Sequence, residues 1–205
     1  MWLRTNERNE AIRSLYKTHQ FILETHQDIY NWKWVIISLH NSAQAFMVLA
    51  LKGTAALNVI NNPKKTLDAI YGKREYPKES LKVFLNLYAD IKSYECMNLN
   101  INSKFFAGTN ETDEAMERLN QFRNKFIHFI PCSWSIEIDG FPKLCNDVIS
   151  ILEFLIFESG NVRFYEDDEI QKTKLSVLIS EIRRELEILQ NEYIKGCSLS
   201  AYRPM

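Results

Sequence analysis

Glycine and proline are scarce in this chain, at 6 and 5 of 205 residues. So little turn-forming material leaves room for few loops and favours long helices. Charge of one sign is lacking too, since 25 Lys and Arg stand against 26 Asp and Glu. A net charge of −1 excludes the global positive field that drives non-specific nucleic-acid binding. An RNA ligand would have to meet a local patch or a second subunit. The four cysteines (Cys96, Cys132, Cys145, Cys197) form no C-x-x-C pair, and His19, His26, His40 and His128 show no ligand spacing to them or to one another. That pattern argues against a zinc site and a disulfide framework. The expectation is no metal, no cofactor, and reduced, mostly buried thiols.

Long uninterrupted apolar runs are also missing. The N-terminus turns polar at Arg4-Thr5-Asn6, too early for a signal peptide. The most apolar stretch, 34–51, is broken by Ser38, His40, Asn41, Ser42 and Gln44. A bilayer would penalise those groups, so a buried core helix, no membrane and a cytoplasmic location are expected.

What is present is helical patterning on a chain that is 46% apolar. Ile12, Leu15, Tyr16, His19, Ile22, Leu23 and His26 recur at helical spacing over 6–26. A second helix is expected over 32–51, closed at Lys52-Gly53. A short one follows over 64–70, and another over 80–94 after Pro77. Residues 95–110 hold four asparagines and read as the longest irregular stretch. Thr112-Asp113-Glu114 then reads as the start of a central helix with Thr112 as N-cap, running to Ile130 before Pro131. The alternation Trp134-Ser135-Ile136-Glu137-Ile138 gives one short β-like segment near 134–138. A strongly apolar helix over 142–159 must be buried on more than one side, and a last helix covers 166–193 with a loose tail over 196–205. The sum is an all-α fold: a single helical bundle of about six to seven helices, one domain over 1–205.

The segment able to carry chemistry is 116–131. At about 100° per residue, Leu119, Phe122, Phe126 and Ile130 fall on one face, and Glu117, Asn120, Asn124 and His128 on the opposite arc. Asn124 and His128, four apart, stack on that arc. Arg123 lies at the edge of the apolar stripe, where a long side chain can reach along apolar surface towards the histidine. Metal-free RNA cleavage by 2′-hydroxyl attack needs a group titrating near neutrality and a fixed cation over the phosphate. Histidine and arginine supply these. The neutral amide of Asn124 can hold either partner.

Arg123-Asn124-Lys125-Phe126-Ile127-His128 resembles the R-x4-6-H signature of the HEPN superfamily, with a polar residue directly after the Arg. The helical pattern supports the likeness over most of the chain, the specific identity over about six residues. The resemblance implies a metal-independent endoribonuclease leaving a 2′,3′-cyclic phosphate. Two copies would face each other across a composite cleft, in toxin–antitoxin, antiviral defence or RNA-processing settings. It assigns catalysis to Arg123, Asn124 and His128. Asn120 and Lys125 are candidate substrate-binding residues, and a protein or nucleic-acid regulator is a candidate partner. Some relatives carry a Tyr two positions after the His; this chain has Ile130 there, which puts nucleotidyl modification at that position in doubt.

Other readings stay open. His128 can be a helix-end residue facing the dipole, and Arg123 can pair with an acid. The chain can be a non-catalytic HEPN-like module that binds RNA, nucleotide or protein, or an interaction protein docking through 148–157. His40, Asn41 and Gln44 read as satisfied interhelix groups or as lining the same cleft. His19 and His26 read as ordinary helix residues. The acidic run 165–169 reads as a solvated helix start, and Lys64, Lys65, Lys73, Arg74 and Lys78 as surface charge.

Overall fold

A computed structural model describes residues 1–54, 56–78, 80–128, 131, 133–164 and 169–200, with only the backbone described at 169 and 196–200. Eight α-helices are present among the described residues: α1 (Glu7–Thr25), α2 (Trp32–Leu51), α3 (Pro63–Ile70), α4 (Phe84–Ile91), α5 (Tyr94–Met97), α6 (Asn110–Ile127), α7 (Phe141–Glu153) and α8 (Glu169–Ser200). The expected all-α bundle is present, with one or two helices more than expected.

Two features of α1 fix its ends. Asn6 accepts from the backbone N–H of Asn9 as N-cap, and Glu7 and Glu10 sit in the first turn, facing the positive end of the dipole. Asp28 then caps a short 3-10 turn over Ile29–Asn31, which reverses the chain into α2. The α1–α2 pair is stitched by buried hydroxyls as well as by apolar packing. Thr18 donates to Ser38 Oγ at 2.9 Å, and Ser42 to the Ala11 carbonyl at 2.9 Å. These bonds explain how Ser38 and Ser42 are accommodated in an apolar helix.

Helix α2 is the central post: α1, α4, α5, α6 and α7 all pack against it. The stretch Ile29–Leu51 has the length and composition of a membrane-crossing helix, yet most of it is buried inside the bundle. Val35, Ile36, Leu39, Phe46, Met47 and Leu51 are fully covered by other helices. α8 lies across α7 and α1, and Trp32 Nε1 donates to Tyr193 Oη at 2.8 Å, pinning the last helix to the second. Trp32 and Phe122 each meet the Phe141 ring edge-on, with centroids 5.4 and 5.0 Å apart. These three rings join α2, α6 and α7.

Several expected boundaries are corrected. The helix expected over 80–94 forms only from Phe84. Before it, Leu81 bridges to Ile60, and the Lys82 N–H is taken by the Val59 carbonyl at 2.8 Å, so Pro77 starts no helix. Residues 94–97 form α5, capped by Ser93. The N-cap of α6 is Thr109 rather than Thr112. The two threonines form a reciprocal capping box, with Thr112 at the third helical position. The segment 134–138 pairs with no strand among the described residues. Its alternation instead reports that Ile136 and Ile138 lean on the core. α7 is followed by a π-helical turn over Phe154–Glu158, in which the Ser159 N–H reaches back to the Phe154 carbonyl at 2.9 Å. α8 continues to Ser200, past the expected loose tail at 196. Ile130, Cys132, the run 165–168 and residues 201–205 lie outside the described residues.

The asparagine-rich loop after α5 is tied down. Asn161 donates to the Met97 carbonyl at 2.8 Å, and its own Oδ1 accepts from Asn100 at 2.9 Å and Ser103 at 2.7 Å.

Candidate functional site

α6 presents two faces. Ala115, Met116 and Leu119 are buried, and Phe122 and Phe126 pack on the core beside them. This is the stripe the periodicity predicts. The neighbouring arc carries Asn120, Arg123 and Asn124, which face α2 and the segment leading into α4. Together with His40 and Gln44 of α2 and residues 81–85 they line a cavity of about 410 Å³.

His40 anchors its floor. The residue is 2% exposed, and its ring stacks on Phe84 with centroids 3.9 Å apart and planes 20° from parallel. Nε2 lies 3.3 Å from Asn120 Oδ1, which accepts, while Nδ1 is buried with no partner. Burial pushes the imidazole down to about 4. The Asn120 hydrogen bond opposes this and the Arg123 charge adds to it. His40 is therefore neutral at physiological pH.

Arg123 lies beside it, half-buried. Its Nη1 donates to Asn124 Oδ1 at 2.9 Å, and its Nε is buried without an acceptor. No carboxylate pairs with it among the described residues. The other cation on the lining, Lys82, is already matched to Asp90 at 2.8 Å. A half-buried guanidinium facing an open cavity, with amides around it and no ion-pair partner among the described residues, has the chemistry to hold an anion.

The structure thus brings Arg123, Asn124 and Asn120 together and leaves two expected residues elsewhere. α6 ends at Ile127 instead of continuing to Ile130, because His128 leaves the helical region at φ −92°, ψ 78°, its N–H still bonded to the Asn124 carbonyl. His128 is exposed and outside the cavity lining. Lys125 is exposed as well, with its ammonium 5.9 Å from the Trp134 ring centroid. Arg123 shares its cavity with a different histidine, His40. Both His40 and Gln44 are polar interruptions of an apolar helix, which was the signal in the sequence. Their α6 partners lie some 80 positions away, beyond any periodicity.

A larger cavity, about 850 Å³ between α7 and α8, is less apt for an anion. Its Arg183 is spent on Asn146, Ser150 and Glu153, and Glu137, Asp139 and Glu187 share the lining. No group of three or more metal-ligating side chains occurs among the described residues. Set against family models, curated proteins and solved structures, the chain matches none.

Proposed function

We propose that the chain is a metal-independent endoribonuclease of the HEPN type, acting in the cytoplasm through a site completed by a second copy. Toxin–antitoxin or antiviral defence is the setting this reading suggests. The observation that carries it is the Arg123 guanidinium, held beside Asn124 at an open cavity with no counter-carboxylate. In this reading the scissile phosphate lies against Arg123. The 2′-hydroxyl oxygen attacks phosphorus, forming the 2′,3′-cyclic phosphate, and the bond to the 5′-oxygen breaks. Arg123 offsets the charge that builds on the non-bridging oxygens, and Asn124 fixes the guanidinium plane. His128, exposed at the end of the same helix, moves protons to or from the reacting oxygens as a residue of the facing copy.

The test is RNA cleavage in the presence of a chelator by the wild-type protein, Arg123→Ala and His128→Ala. Cutting by the wild type alone is expected, with a 2′,3′-cyclic phosphate on the product. Mixing the two inactive variants should restore part of the activity, because one hybrid site then has both groups. Cutting that needs a divalent ion, or that survives both substitutions, overturns the mechanism. The position of His128 outside the cavity favours a second reading, a non-catalytic module that binds RNA, nucleotide or a protein partner. It predicts binding that depends on Arg123, with no cleavage and no effect of His128→Ala.

A further inference from the structure

The outer face of the α1–α2 hairpin combines aromatic rings with cations that form no ion pair among the described residues. Trp34 is 42% exposed and lies against Phe21, with ring centroids 6.3 Å apart and planes 33° from parallel. The two rings share a groove of about 300 Å³ with Arg13, Lys17, Ile37 and Asn41. Lys33 lies over the Trp34 ring at 5.1 Å and over Tyr30, itself 65% exposed, at 5.8 Å. Arg13, Lys17 and Lys33 enter no ion pair among the described residues; Lys17 bonds only to the neutral amide of Gln20. Glu10, which accepts from Thr5, keeps its negative charge on the lining, so the two cations there outnumber it by one.

Stacking surfaces flanked by free cations suit one kind of occupant. Bases of a single strand stack on aromatic faces whatever their sequence, and the backbone follows the positive charge. A duplex hides its base faces and cannot use the rings. The groove centres about a quarter-turn round α2 from the Arg123 cavity, and its Ile37 edge is the part that approaches it. Ile37 on the groove and Gln44 on the cavity are seven residues apart on α2, so they project from nearly the same side, about 10 Å along the axis.

We infer that the α1–α2 face is a track for single-stranded RNA, with bases on Trp34 and Phe21 and phosphates on Arg13 and Lys17, on the side of α2 next to the Arg123 cavity. The choice of RNA over another polyanion rests on the ribonuclease reading above; the single-strandedness rests on the rings.

The probe is a short fluorescein-labelled RNA with 2′-O-methyl sugars, which 2′-hydroxyl attack cannot cut, alone and as a duplex of the same sequence. Trp34→Ala is expected to weaken single-strand binding about five-fold or more, in keeping with the loss of one stacked base. Trp34→Phe keeps a ring and should restore most of it. Arg13→Gln with Lys17→Gln should flatten the dependence of log affinity on log salt by about 1.4, two phosphates at about 0.7 each. Variants that bind like the wild type, a duplex bound as tightly as the strand, or no binding at all overturn the track. A Trp34→Ala that alters sedimentation but not RNA binding overturns it too, and makes this face a contact between copies. If the variants weaken binding as expected but unmodified RNA is never cut, the track stands and the nuclease reading falls. If all of them cut with unchanged KM, the reverse holds.

Discussion

The His40 imidazole and the Asn120 amide, from helices 80 residues apart in sequence, meet at 3.3 Å on the floor of the cavity that holds Arg123. The pair joins α2 to α6, although its hydrogen bond favours the charged ring. Burial first, then the nearby guanidinium, keeps it neutral.

This has a consequence for stability against pH. The unfolded chain takes up this proton near pH 6.5, the folded chain only near about 4. Between those values the unfolded state binds more protons, so the contribution is complete above 6.5 and is lost as pH falls towards 4. From pH 7 to pH 5 the loss comes to about 2 kcal/mol. His40→Gln should show a correspondingly shallower fall in urea midpoint over that range than the wild type. A His40 C2 proton that titrates near 6.5 by NMR, or equal slopes for the two proteins, would contradict it.

Arg123 predicts a separation of stability from function. Its Nε is buried with no acceptor and it pairs with no carboxylate among the described residues, a costly arrangement for the fold. Arg123→Met keeps the stem and removes the cation. Its melting temperature is expected to hold or rise by up to about 3 °C, roughly 1 kcal/mol in a chain of this length, while RNA cleavage disappears. A fall of more than about 3 °C would show the guanidinium to be structural.

Gly160 is a different kind of constraint. Its φ is +72°, and a Cβ there would lie 2.5 Å from the Asn102 carbonyl oxygen. Gly160→Ala therefore meets both backbone strain and a clash with main chain that is itself held by the Asn161 bonds. A loss of at least about 2 kcal/mol is expected, read as a melting temperature lower by roughly 4–8 °C. Gly72, with a φ of +70° but nothing within 4 Å of the added carbon, is the control. Gly72→Ala should cost only about 1 kcal/mol of strain. Equal melting temperatures for the two variants would sink the steric argument.

Where the sequence carried local signals, the structure could be read from it. α2 is bounded at Trp32 and Leu51 as expected, because the gap after residue 26 and the glycine at 53 lie close to its two ends. The apolar face of α6 followed from its spacing. Errors arose where tertiary partners decide. Leu81 leaves the expected helix because Ile60 pairs with it. The alternation at 134–138 marks only which side chains lean on the core. Thr109 and Thr112 both suit an N-cap, and composition alone could not rank them. Within the site, the adjacency of Arg123 and Asn124 was legible. The convergence of Asn120 with His40 was not, since it depends on how α6 lies across α2. The fate of His128 turned on where α6 unwinds, three residues before the expected end.

The π-helical turn after α7 makes chain length in that stretch a structural variable. Between Phe154 and Glu158 the backbone accommodates one residue beyond a regular helical turn. Removing a single residue there would let the turn relax to ordinary α geometry with the downstream chain kept in phase, because the turn is one residue inserted into an α-helical path. Removing one from the regular part of α7, in contrast, would swing everything downstream by about 100°. Asn161 would then point away from Met97, Asn100 and Ser103, and the loop it fastens would lose its clasp. Removing one residue between Phe154 and Glu158 should thus leave the loop fastened, while removing one between Phe141 and Glu153 should free it.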